Sequence, residues 1–207
     1  MTIASAASAG VITESASFGF ATTPISGQTI NLIGYTGKGG VNPLSSVTVK
    51  ITEDVKGTVT GTNTSGTASG TYDSSVKNLL TISAQPTPLT FTTLTSISTP
   101  SGPTNVAAGV GKFVTSDLLT GSNNATKIAT TNLGNFTGAW SMTFTDVGSY
   151  FGSADSNITL SAATEGKITL DITYTYLDEI PVPEPMTIGL MATGLVGLGL
   201  ARRKRSA

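Results

Sequence analysis

The chain of 207 residues contains neither cysteine nor histidine. Without these residues, a Ser-His-Asp or Cys-His arrangement for nucleophilic catalysis is excluded. A transition metal would lack its commonest nitrogen and sulfur ligands, so any metal site would have to use oxygen atoms. Disulfide bonds are excluded as well. A domain of this size can nevertheless bury a core without them, so their absence is compatible with an oxidising compartment.

Charged residues are scarce, at 11% of the chain, and they are unevenly distributed. Residues 1–185 carry seven Lys or Arg against twelve Asp or Glu, a net charge of −5, while four of the eleven cations lie in the last six residues. A mildly acidic body with few charges has no electrostatic footprint for nucleic acid. We therefore expect no nucleic-acid partner.

Carboxylates are the remaining candidates for chemistry. Glu53 and Asp54 are adjacent, so in a strand they point to opposite faces and cannot share a substrate. A carboxylate-only hydrolase would need two acids within roughly 5–10 Å in a cleft. Four later acids could gather round calcium, although no EF-hand or repeat spacing supports this. They are Asp146, Asp155, Glu165 and Asp171. We predict no catalytic residue, no metal site, no cofactor and no enzymatic activity.

Residues 11–180 also lack a long amphipathic helical pattern. Thr and Ser are abundant, and apolar residues alternate with polar ones, which favours strands. The clearest strand is 167–177, where five apolar residues alternate with four polar ones. This pattern predicts one buried face and one solvent-exposed face. The other predicted strands are 28–35, a run from Val47 to Val59, 79–83, 89–97, 112–119, 139–144 and 157–160.

Clusters of Gly, Pro and Asn predict the turns. They fall at residues 37–40, 61–70, 100–103, 121–124 and 148–153. Residues 162–166 are expected to join 157–160 and 167–177 in an antiparallel hairpin. Short strands broken by such turns are typical of sandwiches and barrels. The predicted fold class is all-β, an antiparallel β-sandwich or barrel-like domain followed by a single C-terminal transmembrane helix.

The carboxyl end has a different character. Residues 186–201 carry no charge, and as a helix they would be about 24 Å long, a little short of the roughly 30 Å hydrocarbon core. A buried core helix is the alternative. The cations that follow favour a membrane segment, because Lys and Arg stay on the cytoplasmic side and their long side chains can snorkel. The preceding motif is Val182, Pro183, Glu184 and Pro185, and the basic cluster is Arg202, Arg203, Lys204 and Arg205.

These residues resemble the PEP-CTERM sorting signal of Gram-negative envelope proteins, a tail also called the ice-binding protein C-terminal domain. The resemblance covers Val182 to Arg205. It implies that Pro183, Glu184 and Pro185 are read by a membrane-embedded sorting peptidase of the exosortase type. The helix and cations would hold the substrate in the inner membrane. Export, processing near the motif and delivery to the cell surface or extracellular matrix are the expected outcome.

The amino end contains Ala7-Ser8-Ala9, which fits the small-residue pattern before a signal-peptidase site, with Gly10 as the first mature residue. A positive segment and an apolar segment do not precede it in this sequence. We interpret residues 1–9 as the remnant of a signal peptide, and an ordinary small-residue start is the alternative. The predicted organisation is then 1–9, an exported β domain at 10–180 and the sorting tail at 181–207.

The body shows a second resemblance. Four segments of the body resemble the exported β domains called choice-of-anchor E. They are Asn42-Pro43-Leu44 leading into Ser45 to Val49, Val55-x-Gly57, Asn63-x-Ser65 and Thr173-Tyr174-Thr175-Tyr176. Those domains are so named because related bodies carry different sorting tails. The resemblance implies export and no particular activity.

A threonine ladder raises the question of ice binding. Thr58, Thr60, Thr62 and Thr64 form a short Thr-x-Thr ladder, and ice-binding surfaces are flat threonine arrays. Such an array needs a fixed repeat, and the sequence contains no internal period. Outward threonines on an exposed strand face are the simpler interpretation.

Aromatic residues cluster between positions 139 and 152. Trp140 and Phe144 are two strand periods apart and are predicted to share a core face. Tyr150 and Phe151 lie in a segment flanked by glycines, where an exposed ring could stack on a sugar. We regard them as candidate glycan contacts, with burial in the core as the alternative.

The function expected from the sequence is that of a non-enzymatic exported surface or matrix protein, sorted through its tail. The membrane and an exosortase-type peptidase are the expected partners. An exopolysaccharide-binding module is the first alternative, and an ice-binding protein is the second.

Overall fold

The computed structural model describes residues 9–37, 43–108 and 113–177. Residues 9–177 belong to a single unit. Nine strands and a short 3-10 helix at Leu133–Phe136 lie within the described part of the chain. The strands are β1 Ala9–Thr22, β2 Ile25–Leu32, β3 Leu44–Asn63, β4 Gly70–Ala84, β5 Thr93–Ile97, β6 Thr104–Val106, β7 Phe113–Ala129, β8 Trp140–Ala154 and β9 Ile158–Leu177.

The strands form two sheets that face each other across a core. The first sheet has the order β1-β9-β3-β7, and the second has the order β2-β8-β4-β5, with β6 added to β4. Every pairing between these strands is antiparallel. The prediction of an all-β antiparallel sandwich is therefore confirmed.

The central strand β3 shows why the sheets pack together. Val47, Val49 and Ile51 are completely buried, as predicted from their alternation, and Val55 and Val59 continue the same face. Alternate β3 residues face solvent because successive side chains of a strand point to opposite sides.

The core consists of two apolar clusters. The larger contains Trp140 and Phe144, as predicted, packed with residues that include Ile51 and Ile168. The smaller is built around Val55, Val59 and Val76.

The predicted hairpin at 157–177 is wrong, because β9 runs unbroken through residues 162–166. The turns predicted at 121–124 and 148–153 are also wrong, since β7 and β8 continue through them. Glycine serves close packing in these strands rather than chain reversal. A Cβ on Gly121 would lie 2.3 Å from the carbonyl oxygen of Ile97, and one on Gly148 would collide with the hydroxyls of Thr23 and Thr164.

Some boundaries also differ from the sequence-based ones. Strand β1 was not predicted. Residues 28–35 were expected to form one strand, but β2 ends at Leu32. The chain turns at Gly34, whose φ is +76° and where a Cβ would meet the carbonyl oxygen of Gly138. The run 89–97 is a strand only over Thr93–Ile97, while Leu89 and Phe91 are buried in the preceding loop.

The predicted transmembrane helix at 186–201 lies outside the described residues. In the part of the chain that the structure describes, no helix is long and apolar enough to cross a membrane.

Candidate functional site

The sorting residues follow directly on the sandwich. Val182, Pro183, Glu184 and Pro185 and the cluster Arg202 to Arg205 lie outside the described residues. The structure does place the point where the chain leaves the body. Leu177 ends β9 and pairs with Ala9 at the start of β1. The chain therefore enters and leaves the sandwich at the same end, and four residues separate Leu177 from Val182.

The two candidate glycan contacts do not form one platform. Tyr150 and Phe151 lie within strand β8 rather than in a turn, so they point to opposite faces. Tyr150 faces towards the other sheet, and its hydroxyl donates to the carbonyl oxygen of Leu160 at 3.3 Å. Phe151 lies opposite Ser75 of β4 on the outer face and is 49% exposed. Only Phe151 presents its ring on that outer surface.

Phe151 borders a groove at the end of the sandwich opposite Leu177. One concavity of about 210 Å³ is lined by Asp73, Ser74, Ser75, Pro100, Phe151, Gly152 and Ser153. A second, of about 280 Å³, is lined by Thr71, Tyr72, Asp73, Pro103, Ser153, Ala154 and Asp155. Since both are lined by Asp73 and Ser153, we treat them as one feature and call it the distal groove.

The four acids considered for calcium are dispersed. Asp155 accepts the backbone N–H of Thr71 at 2.7 Å, Glu165 pairs with Lys56 at 3.4 Å, and Asp171 accepts the hydroxyl of Ser15 at 2.8 Å. Asp146 is buried between the sheets. Among the described residues, no three acidic side chains come close enough to hold a metal ion together.

Asp146 instead meets Glu53, a pairing that the sequence analysis missed. Both side chains are 0% exposed, Glu53 on β3 of the first sheet and Asp146 on β8 of the second. The two carboxyl groups lie close enough for each to shift the pKa of the other. A hydrogen bond between them requires one carboxyl group to carry the proton, since two carboxylates have only acceptors. Glu53 and Asp54 do point to opposite faces, as expected.

Two polar side chains complete this buried cluster. The Ser96 hydroxyl donates to Oε2 of Glu53 at 2.8 Å, and the Asn78 amide donates to Oδ2 of Asp146 at 2.8 Å. Oε1 of Glu53 and Oδ1 of Asp146 have no hydrogen-bond partner among the described residues. These two oxygens are therefore available to share a proton.

The environment keeps the pair protonated. Burial raises the pKa of Glu53 to about 8, the Ser96 hydrogen bond opposes this rise, and the neighbouring charge of Asp146 adds to it. Burial also raises the pKa of Asp146, against the hydrogen bonds from Glu53 and Asn78. We conclude that the pair holds at least one proton at neutral pH.

The buried pair lies at the boundary between the two apolar clusters. On β3, Glu53 stands between Ile51 of the larger cluster and Val55 of the smaller one. On β4, Asn78 stands between Val76 and Leu80 in the same way. The sequence signal for these buried polar residues was Glu53, an acid at a position of β3 that the alternation of apolar residues assigns to the core. Only the tertiary structure shows that the polar residues of different strands meet.

This arrangement suits proton sharing rather than hydrolysis. A glycosidase places its two carboxyl groups on either side of a bond in an open site. Here the two groups are close enough to shift each other's pKa, and neither has any exposed surface. Their chemistry is that of a buried pair of carboxyl groups that holds a proton.

Thr58, Thr60 and Thr62 of the threonine ladder lie on the outer face of β3, but the ladder does not extend across the sheet. Thr58 has Ala163 on one side and Leu118 on the other. Further along the same face, two ion pairs replace the threonines: Lys56 with Glu165 at 3.4 Å and Lys167 with Asp54 at 3.5 Å.

Two of the solved structures that resemble this chain come from viruses. A chain of the T13 IBDV particle is 13% identical, with 92% of this chain and 47% of that chain covered and a TM-score of 0.22. A chain of desmodium yellow mottle tymovirus is 12% identical, with 88% and 90% covered and a TM-score of 0.15. The chain spans about half the length of the first of these. Such low TM-scores support no conclusion about function.

No curated protein matches the sequence. One family model does match, and it covers the tail, whose proline-rich motif, uncharged run and basic cluster follow the body at Leu177. Residues 181–205 of this chain are a PEP-CTERM protein-sorting motif.

Proposed function

We propose that this chain is a non-enzymatic protein that a Gram-negative bacterium exports to its cell surface or extracellular matrix, and that an exosortase-type peptidase sorts and cleaves it through the tail. The single observation that carries the proposal is the sorting motif at 181–205. The motif begins at Pro181, and only three residues separate it from Leu177, the last residue of β9.

The expected route has two stages. The uncharged run 186–201 and the cluster Arg202 to Arg205 hold the exported chain in the inner membrane. The peptidase then reads Pro183, Glu184 and Pro185 and releases the body. The alternating prolines suit this role, because each fixes φ and favours extended geometry in the residue before it, which a peptidase can grip. The resemblance of the body to choice-of-anchor E domains fits the same role.

Intact-mass analysis of the protein from envelope and culture medium tests this route, in hosts with and without the peptidase. We expect loss of about the last twenty residues only when the peptidase is present. Glu184→Gln should block processing, whereas Glu179→Gln, a matched loss of a carboxylate outside the motif, should not. Equal processing of both variants, or an intact carboxyl end in both hosts, would reject the proposal and leave a simple tail anchor.

A second candidate function is binding of exopolysaccharide by the body. The observation that favours it is the exposed ring of Phe151 beside the distal groove. Retention of the processed body by the host's own exopolysaccharide, compared between wild type and Phe151→Ala, tests this function. We do not extend the proposal to ice binding, because ion pairs and apolar side chains interrupt the threonine face.

A further inference from the structure

The distal groove is suited to a repeating ligand. Its two concavities, about 210 and 280 Å³, are each smaller than the roughly 300–1,000 Å³ of a pocket for a drug-sized molecule. Both are lined by Asp73 and Ser153, so ligand units in the two concavities would be neighbours. Two ring-sized units of one chain fit this arrangement better than a single compact ligand.

Phe151 supplies the apolar surface at one end of the groove. Its position opposite Ser75 on the outer face and its 49% exposure leave the ring accessible. Exposed aromatic rings offer large and rigid contact area with little conformational entropy to lose, and the C–H face of a sugar ring packs against such a surface.

Two carboxylates supply hydrogen-bond acceptors along the groove. Asp155 is held in place because its Oδ2 accepts both the backbone N–H of Thr71 at 2.7 Å and the Thr71 hydroxyl at 3.1 Å. Asp73 receives a long contact, 3.4 Å, from the hydroxyl of Ser101. A carboxylate has about four acceptor sites, so both side chains retain capacity for ligand hydroxyls.

The charge of the groove restricts the class of ligand. Among the described residues that line the two concavities there are two Asp and no Lys or Arg. On the outer face of β4, Lys77 follows Ser75, and it lies on the side of Ser75 away from Asp73. An acidic polysaccharide would bring carboxylates towards Asp73 and Asp155, which costs electrostatic energy. Neutral sugars and amino sugars avoid this cost.

We infer that the distal groove binds two consecutive rings of a glycan without acidic groups, one ring stacked on Phe151 and the next hydrogen-bonded to Asp73. This inference rests on the polysaccharide-binding role proposed above and names the site and the ligand class. The groove lies towards the Ile158 end of β9, and Leu177 is at the other end of this strand of twenty residues, which spans about 60 Å when extended.

The test is a binding titration of the full chain in detergent with three probes: cellohexaose, chitohexaose and oligogalacturonate. We expect binding of at least one of the first two and none of the acidic third. Phe151→Ala should weaken binding about tenfold, the effect of losing one stacking contact. Asp73→Asn should weaken it as well, because an amide replaces one acceptor oxygen by a donor.

Phe20→Ala is the matched control, since Phe20 is 46% exposed on the other sheet and lies outside the groove. Its affinity should equal that of the wild type, and Trp140 fluorescence confirms that each variant is folded. The inference is overturned if neither neutral nor amino-sugar probe binds, if only the acidic probe binds, or if Phe20→Ala weakens binding as much as Phe151→Ala.

Failure of this inference can be separated from failure of the sorting route. Groove variants should be cleaved normally in the intact-mass experiment, because the groove and the motif share no residue. A chain that is sorted, cleaved and retained by the host's own exopolysaccharide, but binds no probe, would refute the groove alone.

Discussion

The hydroxyl of Tyr174 on β9 donates a hydrogen bond of 3.1 Å to the carboxylate of Glu14 on β1. The same hydroxyl accepts the indole N–H of Trp140 at 3.0 Å, and Glu14 also accepts the backbone N–H of Ile33 at 2.8 Å. This network joins both sheets at the end where the chain enters and leaves the body. Burial raises the pKa of Tyr174, so its hydroxyl stays protonated and able to donate.

The first prediction concerns this network. Tyr174→Phe should lower the free energy of unfolding by about 1–3 kcal/mol, because it leaves the buried Trp140 N–H without its acceptor. Tyr150→Phe removes a tyrosine hydroxyl from an exposed hydrogen bond and should change stability by less than about 0.5 kcal/mol. Urea unfolding followed by Trp140 fluorescence measures both variants. Equal effects would show that the network does not stabilise the body.

The second prediction is a dependence of stability on pH. Glu53 has a pKa of about 8 in the folded protein and an ordinary value of 4.5. Its contribution to stability is therefore fully present below about pH 4.5 and is lost as the pH rises towards 8, since the folded state binds the extra proton. The slope should reach about 1.4 kcal/mol per pH unit for one proton. Asp146, whose pKa is also raised, acts in the same direction.

Denaturant unfolding between pH 4.5 and 9 measures this slope. Glu53→Gln should flatten the profile, because a neutral amide replaces the titrating acid. The control is Glu165→Gln, which removes an acid whose side chain is 40% exposed. The assignment fails if Glu53→Gln keeps the slope of the wild type.

The third prediction concerns the space that holds Asp146. A Cβ on Gly166 would come within 1.8 Å of Oδ2 of Asp146. Gly166→Ala must therefore displace the buried carboxyl group, and we expect a loss of about 1–3 kcal/mol. At Gly19 a Cβ would meet nothing within 4 Å, so Gly19→Ala should be nearly neutral. Comparing the urea midpoints of the two variants tests this, and similar midpoints would show that the sheet adjusts freely.

The fourth prediction concerns the energetic role of the buried pair. Asp146→Ala should be destabilising, by about 1–3 kcal/mol, because the buried carboxyl group of Glu53 and the amide of Asn78 would lose their partner. The double replacement Glu53→Leu with Asp146→Leu should be neutral to stabilising, since it joins the two apolar clusters into one. Urea unfolding of Glu53→Leu, Asp146→Leu and the double variant gives the double-mutant cycle that measures the coupling. A double variant less stable than Asp146→Ala would contradict this role.

The pattern of alternation in the sequence predicted much of the sandwich. Val47 to Val59 and Ile168 to Tyr176 were assigned their buried face correctly, because side chains along a strand alternate whatever the partner strand is. The turns at 121–124 and 148–153 were assigned wrongly. A glycine in a turn and a glycine in a closely packed strand look the same in the sequence. The two cases differ only in whether another part of the chain packs against the glycine, and the sequence does not show this.

By itself the sequence determined the class of the body, the chemistry that the missing cysteine and histidine exclude, and the sorting motif. These properties depend on composition and on short contiguous segments. The tertiary structure alone decided that Glu53 meets Asp146, that Tyr150 and Phe151 face opposite ways, and that Asp73 and Ser153 line both parts of the distal groove. Such contacts join residues far apart in the chain, and the order and register of the strands fix them.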